Sequence, residues 1–115
     1  MNQTGQRNIF HVADALPQPE EFSEPLYSGG GVLIERIISH GHRSPEGFWY
    51  DQEDDEWVAL LQGDATLLYH DGRDVRLGKG DWLFIPAHTK HRVERTSSNP
   101  PCIWLAVHVT TSAVK

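Results

Sequence analysis

From Val32 onward the chain is a series of short runs of alternating apolar and polar residues, each closed by glycine, proline or aspartate. Runs of this kind, rich in Val, Ile, Leu, Phe and Trp, predict β-strands. Eight are expected, at Val32–Ile38, Phe48–Tyr50, Glu56–Gln62, Ala65–Tyr69, Asp74–Leu77, Trp82–Ile85, His91–Thr96 and Cys102–Val109. Asp71-Gly72 is a favoured hairpin pair, and Pro86, which has no N–H to donate, marks a corner. The sequence shows no convincing helix, internal repeat or second domain. The pattern therefore predicts a single all-β domain, a sandwich or barrel of the jelly-roll kind. Ahead of it, Asn8–Val12 reads as a short edge strand. Ala13–Pro25, with three prolines and four acidic residues, reads as an extended arm, and Tyr27–Gly31 as a turn. The expected organisation is an N-terminal arm with an edge strand over 1–31, a barrel over 32–109 and a tail over 110–115.

Composition narrows the setting. A chain of 115 residues with 38% hydrophobic and 23% charged content suits one globular domain. No apolar run approaches the roughly 20 residues that cross a bilayer, and Met1–Thr4 begins no signal peptide, so no membrane is expected as a partner. The single cysteine, Cys102, excludes an internal disulfide, and a reducing cytoplasmic location is the expectation. A net charge of −6 with scattered Lys and Arg argues against nucleic acid as a partner.

Two blocks carry the chemistry. The first runs from Glu56 to Gly63 and the second from Gly80 through Pro86 and His88 to His91. They place a carboxylate and an imidazole on separate strands of one small barrel, where the two could share an ion. Their glycine, proline, glutamate and histidine spacings resemble the cupin superfamily, over about Val32 to Val109. The resemblance implies a double-stranded β-helix barrel and a divalent transition metal, Fe, Mn, Zn or Ni, held near Glu56 and His91. The chain departs from the family's pattern in three places. The two histidines usual before the glutamate are replaced by Tyr50 and Gln52, or by Trp49 and Asp51, according to the spacing. The inner glycine of the second block is His88, and its final asparagine is Arg95.

His91 is the first candidate ligand, since a neutral imidazole suits these metals; a core histidine bonded to a backbone carbonyl is the alternative. Glu56 shares a strand face with Val58 and Leu60, so it points inward if they do; otherwise it belongs to the solvated acidic turn. Asp51 and Gln52 are further oxygen donors. Arg95, on the His91/Val93 face, could hold a substrate carboxylate in a bidentate pair, or face solvent. Tyr50, His88 and Trp82 complete the candidate ligand-binding set. His40 and His42 form the one His-x-His and read as loop residues unless the loop folds over the mouth. His108 reads as a packed or hydrogen-bonded histidine.

These residues imply a pocket for a divalent metal and a small polar or carboxylate-bearing ligand. The resemblance suggests an oxygenase, isomerase or lyase. A binding or sensing pocket without metal or turnover stands beside that reading, and a bare interaction surface behind both. Pairing through an edge strand into a homodimer is expected by analogy with single-barrel relatives.

Overall fold

The alternation seen in the sequence becomes the alternation of two sheet faces. The computed structural model describes residues 5–12 and 21–110, and no helix occurs among them. Its strands are β1 (Phe22–Gly29), β2 (Val32–Ser39), β3 (Asp54–Gln62), β4 (Ala65–Tyr69), β5 (Asp74–Leu77), β6 (Trp82–Ile85), β7 (His91–Thr96) and β8 (Cys102–Thr110). Five form an antiparallel sheet in the order β1-β2-β8-β3-β6, and three form a second in the order β5-β4-β7. The inner faces share one core, in which Val58, Leu60, Trp104 and Ala106 of the larger sheet join Ala65 and Leu67 of the smaller.

Eight strands were expected and eight are found, but one member differs. Phe48–Tyr50 is not a strand, because only Tyr50 pairs, in an isolated bridge to His91. Its place is taken by β1, which the polar composition of Phe22–Gly29 concealed. As an edge strand β1 pairs with β2 alone and is bulged between Pro25 and Tyr27. An edge tolerates the missing Pro25 donor. The expected turn at Tyr27–Gly31 shrinks to Gly30-Gly31, and Asn8–Val12 forms no strand. That segment is instead held by buried Arg36, which donates to the carbonyls of Ile9 and His11 at 2.9 and 2.6 Å and pairs with Glu24. Residues 13–20 of the expected arm and 111–115 of the expected tail lie outside the described residues.

Two further contacts set up the site. Arg92 on β7, also buried, donates to the carbonyls of Ser44 and Pro45 and fixes the loop that leads into Tyr50. At the end of β3, Gly63 turns the chain with φ +90°. A Cβ there would stand 3.0 Å from Cys102 Cα and 2.7 Å from Ser97 Oγ, so both backbone and space require glycine.

Gly63→Ala is expected to destabilise the domain by about 2–4 kcal/mol in urea unfolding, through left-handed strain and overpacking together. Gly78→Ala, at a position without positive φ and with its nearest neighbour at 3.9 Å, should cost under about 1 kcal/mol.

Candidate functional site

Strand pleating places the polar residues of the site. On β3, Val58 and Leu60 must be buried, and a period of two carries Glu56 to the same face. Across the ladder Glu56 lies opposite His108 of β8 and Ile85 of β6. Two positions along, Glu35 of β2, Ala106 and Val58 form the next row. The smaller sheet faces this surface with Leu67, His91 and Val93. Between the sheets is a cavity of about 230 Å³, walled also by Glu21, Ser23, Tyr50, Gln52 and Trp104.

His91 is 5% exposed, and its Nδ1 lies 2.8 Å from the Thr89 carbonyl oxygen. A carbonyl can only accept, so Nδ1 carries the proton, and in the neutral ring Nε2 keeps a lone pair. No described residue donates to that lone pair. Tyr50 bridges His91 through the backbone and stacks on its ring at 5.3 Å. The turn before His91 bends at His88, which adopts φ +62° where the resembled family has glycine.

Glu56 is 8% exposed, and its carboxyl makes no hydrogen bond or ion pair with a described residue. Burial raises its pKa; the nearby His108 and His91 oppose the rise, and Glu35 and Glu21 add to it. Tyr50 is also shifted upward, by burial first and then by Glu21, Glu56 and Glu35, so it stays a neutral phenol. The other carboxylates have partners. Glu35 accepts from Ser23 Oγ at 2.9 Å and lies 3.7 Å from His108 Nε2. Glu21 accepts at 2.6 Å from Ser39 Oγ, which in turn accepts from the Trp104 indole.

Of the sequence candidates, the structure brings Glu56, His91, Tyr50 and Gln52 to one cavity and leaves Asp51, His88, Arg95 and Trp82 outside it. Tyr50 and Gln52, two apart, take the pocket side, which turns Asp51 outward to meet exposed His88 at 2.9 Å. Arg95 is reversed by a bulge. Leu67 pairs with Val93 and Thr66 with Arg95, so Glu94 is an extra residue and the face changes after it. Arg95 is exposed and pairs with Asp64. Trp82 is 59% exposed on the outer face, against Trp57. His40 and His42 stay in their loop, where the His40 N–H donates to His42 Nδ1. Glu21, Glu35, Ser23 and His108 were missed as site residues. The alternation Leu33, Glu35, Ile37 carried a signal for Glu35, the same one that identified Glu56.

A resident metal centre needs three or four converging donors. Among the described residues no group of three or more His, Cys, Asp or Glu converges in that way. His91 Nε2 and Glu56 supply two. Tyr50 and Gln52, where the resemblance puts histidines, add only weak neutral donors. The expected anion-holding arginine is also absent from the wall. The residues present do not fit a metal ion, and three glutamates without Lys or Arg among the described lining do not fit a carboxylate ligand.

Comparison with known proteins agrees with this fold. A family model described as a cupin domain matches residues 34–108. A crystal structure from Ralstonia eutropha JMP134, of a protein provisionally named a mannose-6-phosphate isomerase, is 42% identical with a TM-score of 0.85; the match covers 93% of this chain and 99% of that one. A cupin superfamily protein of Desulfitobacterium hafniense DCB-2 is 20% identical, TM-score 0.68, over 81% of this chain and 80% of that one. The polyketide cyclase RemF of Streptomyces resistomycificus is 22% identical, TM-score 0.66, over 80% and 66%. No protein of curated function matches the chain.

Because burial favours protonated Glu56 in the folded chain, the unfolded chain ionises first as pH rises. Stability is then full below the ordinary glutamate range and lost as pH climbs through the raised value. Melting curves should show Glu56→Gln close to the parent at low pH and more stable at neutral pH. A gain of about 4 °C would correspond to about 1 kcal/mol in a domain of this size.

Proposed function

The chain belongs to the cupin family, and from that premise we propose that its pocket binds a small organic molecule and moves a proton on it with the chain's own side chains. The observation that carries this reading is Glu56, buried, without a bonding partner among the described residues, and facing the same cavity as the His91 Nε2 lone pair. Burial makes Glu56 a stronger base than an exposed glutamate, which suits proton abstraction from carbon. Isomerisation next to a carbonyl needs such a base, and the provisional name of the R. eutropha relative falls in that reaction class. The phosphate in that name is not carried over, since three pocket glutamates would oppose a dianion.

The proton balance is simple. Glu56 takes a proton from the carbon beside a carbonyl and returns it to the neighbouring carbon. His91 Nε2 takes a hydroxyl proton from one oxygen and returns it to the other. The neutral Tyr50 hydroxyl donates a hydrogen bond to the oxygen on which charge develops. A binding or sensing pocket without turnover remains the second reading, supported by the smallness of the cavity and its floor of Ile37, Val58, Leu67 and Ile85.

Small aldehydes, hydroxyketones and aminoketones incubated in D₂O should gain deuterium at the carbon next to the carbonyl, as followed by proton NMR. Glu56→Gln should slow the exchange by about 100-fold or more. Ligand binding without any exchange above the buffer rate would favour the sensing reading.

We also propose that the chain pairs as a homodimer through the outer face of the larger sheet. Trp82, Phe84 and Val109 are exposed there beside Trp57, on a mainly apolar patch bordered by Asp55, whose carboxylate accepts from the Ala87 N–H. Two copies each carrying −6 approach with least repulsion across such a patch. Replacing Trp82 and Phe84 together by glutamate should shift the sedimentation coefficient from dimer to monomer, and an unchanged coefficient would remove this face from the interface.

A further inference from the structure

We propose that the ligand of this pocket carries a protonated amino group, seated among Glu56, Glu35 and Glu21. The inference rests on the pocket being the ligand site and adds the chemical class of what enters it.

The wall is rich in acceptors. Three carboxylates and the His91 Nε2 lone pair face the cavity, against the Tyr50 hydroxyl, the Gln52 amide and the His108 ring as donors. Ser39 and Ser23 each satisfy one oxygen of Glu21 and Glu35, respectively. Glu56 and His91 Nε2, both more than nine-tenths buried by residue, receive nothing from the described residues. No fully buried side-chain polar atom among the described residues lacks a partner, so these acceptors open onto the cavity, and a ligand that displaces water from them must supply donors in its place.

No described lysine or arginine lines this cavity, and Arg43 borders the neighbouring one with Glu21 and Tyr50. Arg36 is held by Glu24 and two backbone carbonyls, Arg92 by the Ser44–Pro45 loop and Glu94, and Arg95 by Asp64. An ammonium brings three N–H donors and a positive charge together, so it answers both deficits with charge-assisted bonds. An alcohol of the same shape answers only the first, and a carboxylate answers neither. The rings of Tyr50 and Trp104 on the same wall favour a cation further. The cavity, at about 230 Å³, restricts the ligand to a small molecule.

The test uses two shape-matched series, n-butylamine, butanol and butyrate, and benzylamine, benzyl alcohol and benzoate, titrated calorimetrically into the intact chain with EDTA present. At least one amine should bind about tenfold or more tighter than its alcohol, with its carboxylate weakest. Glu56→Gln should weaken the amine by about tenfold or more, and Glu35→Gln provides the same reading if Glu56→Gln folds poorly. Glu46→Gln, on the exposed loop, should leave it unchanged. If an alcohol or carboxylate binds as well as its amine and depends on Glu56, the pocket reading survives and the ammonium inference falls. Amine binding that EDTA abolishes, or that neither glutamate variant alters, overturns the inference, as does no amine binding up to about 10 mM.

Discussion

The period of β3 governs the site. Its lower half has to bury Val58 and Leu60 to close the core between the two sheets, and a strand cannot bury alternate residues without carrying the next one in the series to the same side. Glu56 is therefore inside because the hydrophobic residues below it are. The ladder then brings His108 beside it, and the facing sheet contributes His91. Core formation worth several kcal/mol holds a carboxyl where its own hydration would not keep it. That imposed burial explains both its shifted pKa and its availability to a ligand.

The second block works differently. His91 is oriented by a turn, with Thr89 fixing one ring nitrogen and leaving the other toward the cavity. Orientation by a backbone carbonyl is the arrangement often found behind a metal-bound histidine, yet the other donors such a centre needs are replaced by a phenol and an amide. The result is a cup with the shape of its family and a different electrostatic character. It is acidic, buried and without a counter-cation among the described lining residues.

Much of this was readable in the chain. Seven strands of the barrel, the inward direction of Glu56 and the convergence of Glu56 with His91 follow from period and block spacing. What escaped has identifiable causes. β1 is polar and contains Pro25, so its pairing depends on the neighbouring β2 and not on local propensity. Phe48–Tyr50 has strand-like composition, but only Tyr50 finds a strand partner, in a single bridge to His91. Asp51 and Gln52 were both named as donors, and only the phase of the Tyr50 bridge separates inward from outward. His108 and Glu35 required the register between β2, β8 and β3, which no single segment contains.

The bulge in β7 has a wider consequence. One supernumerary residue, Glu94, decides that a guanidinium projects to solvent and not into the cup. Were the bulge ironed out, with Glu94 paired to Thr66, Arg95 would stand two residues beyond Val93 and face inward, toward three glutamates. A barrel of this kind thus has a route to opposite ligand polarity through strand register, with every wall residue left as it is.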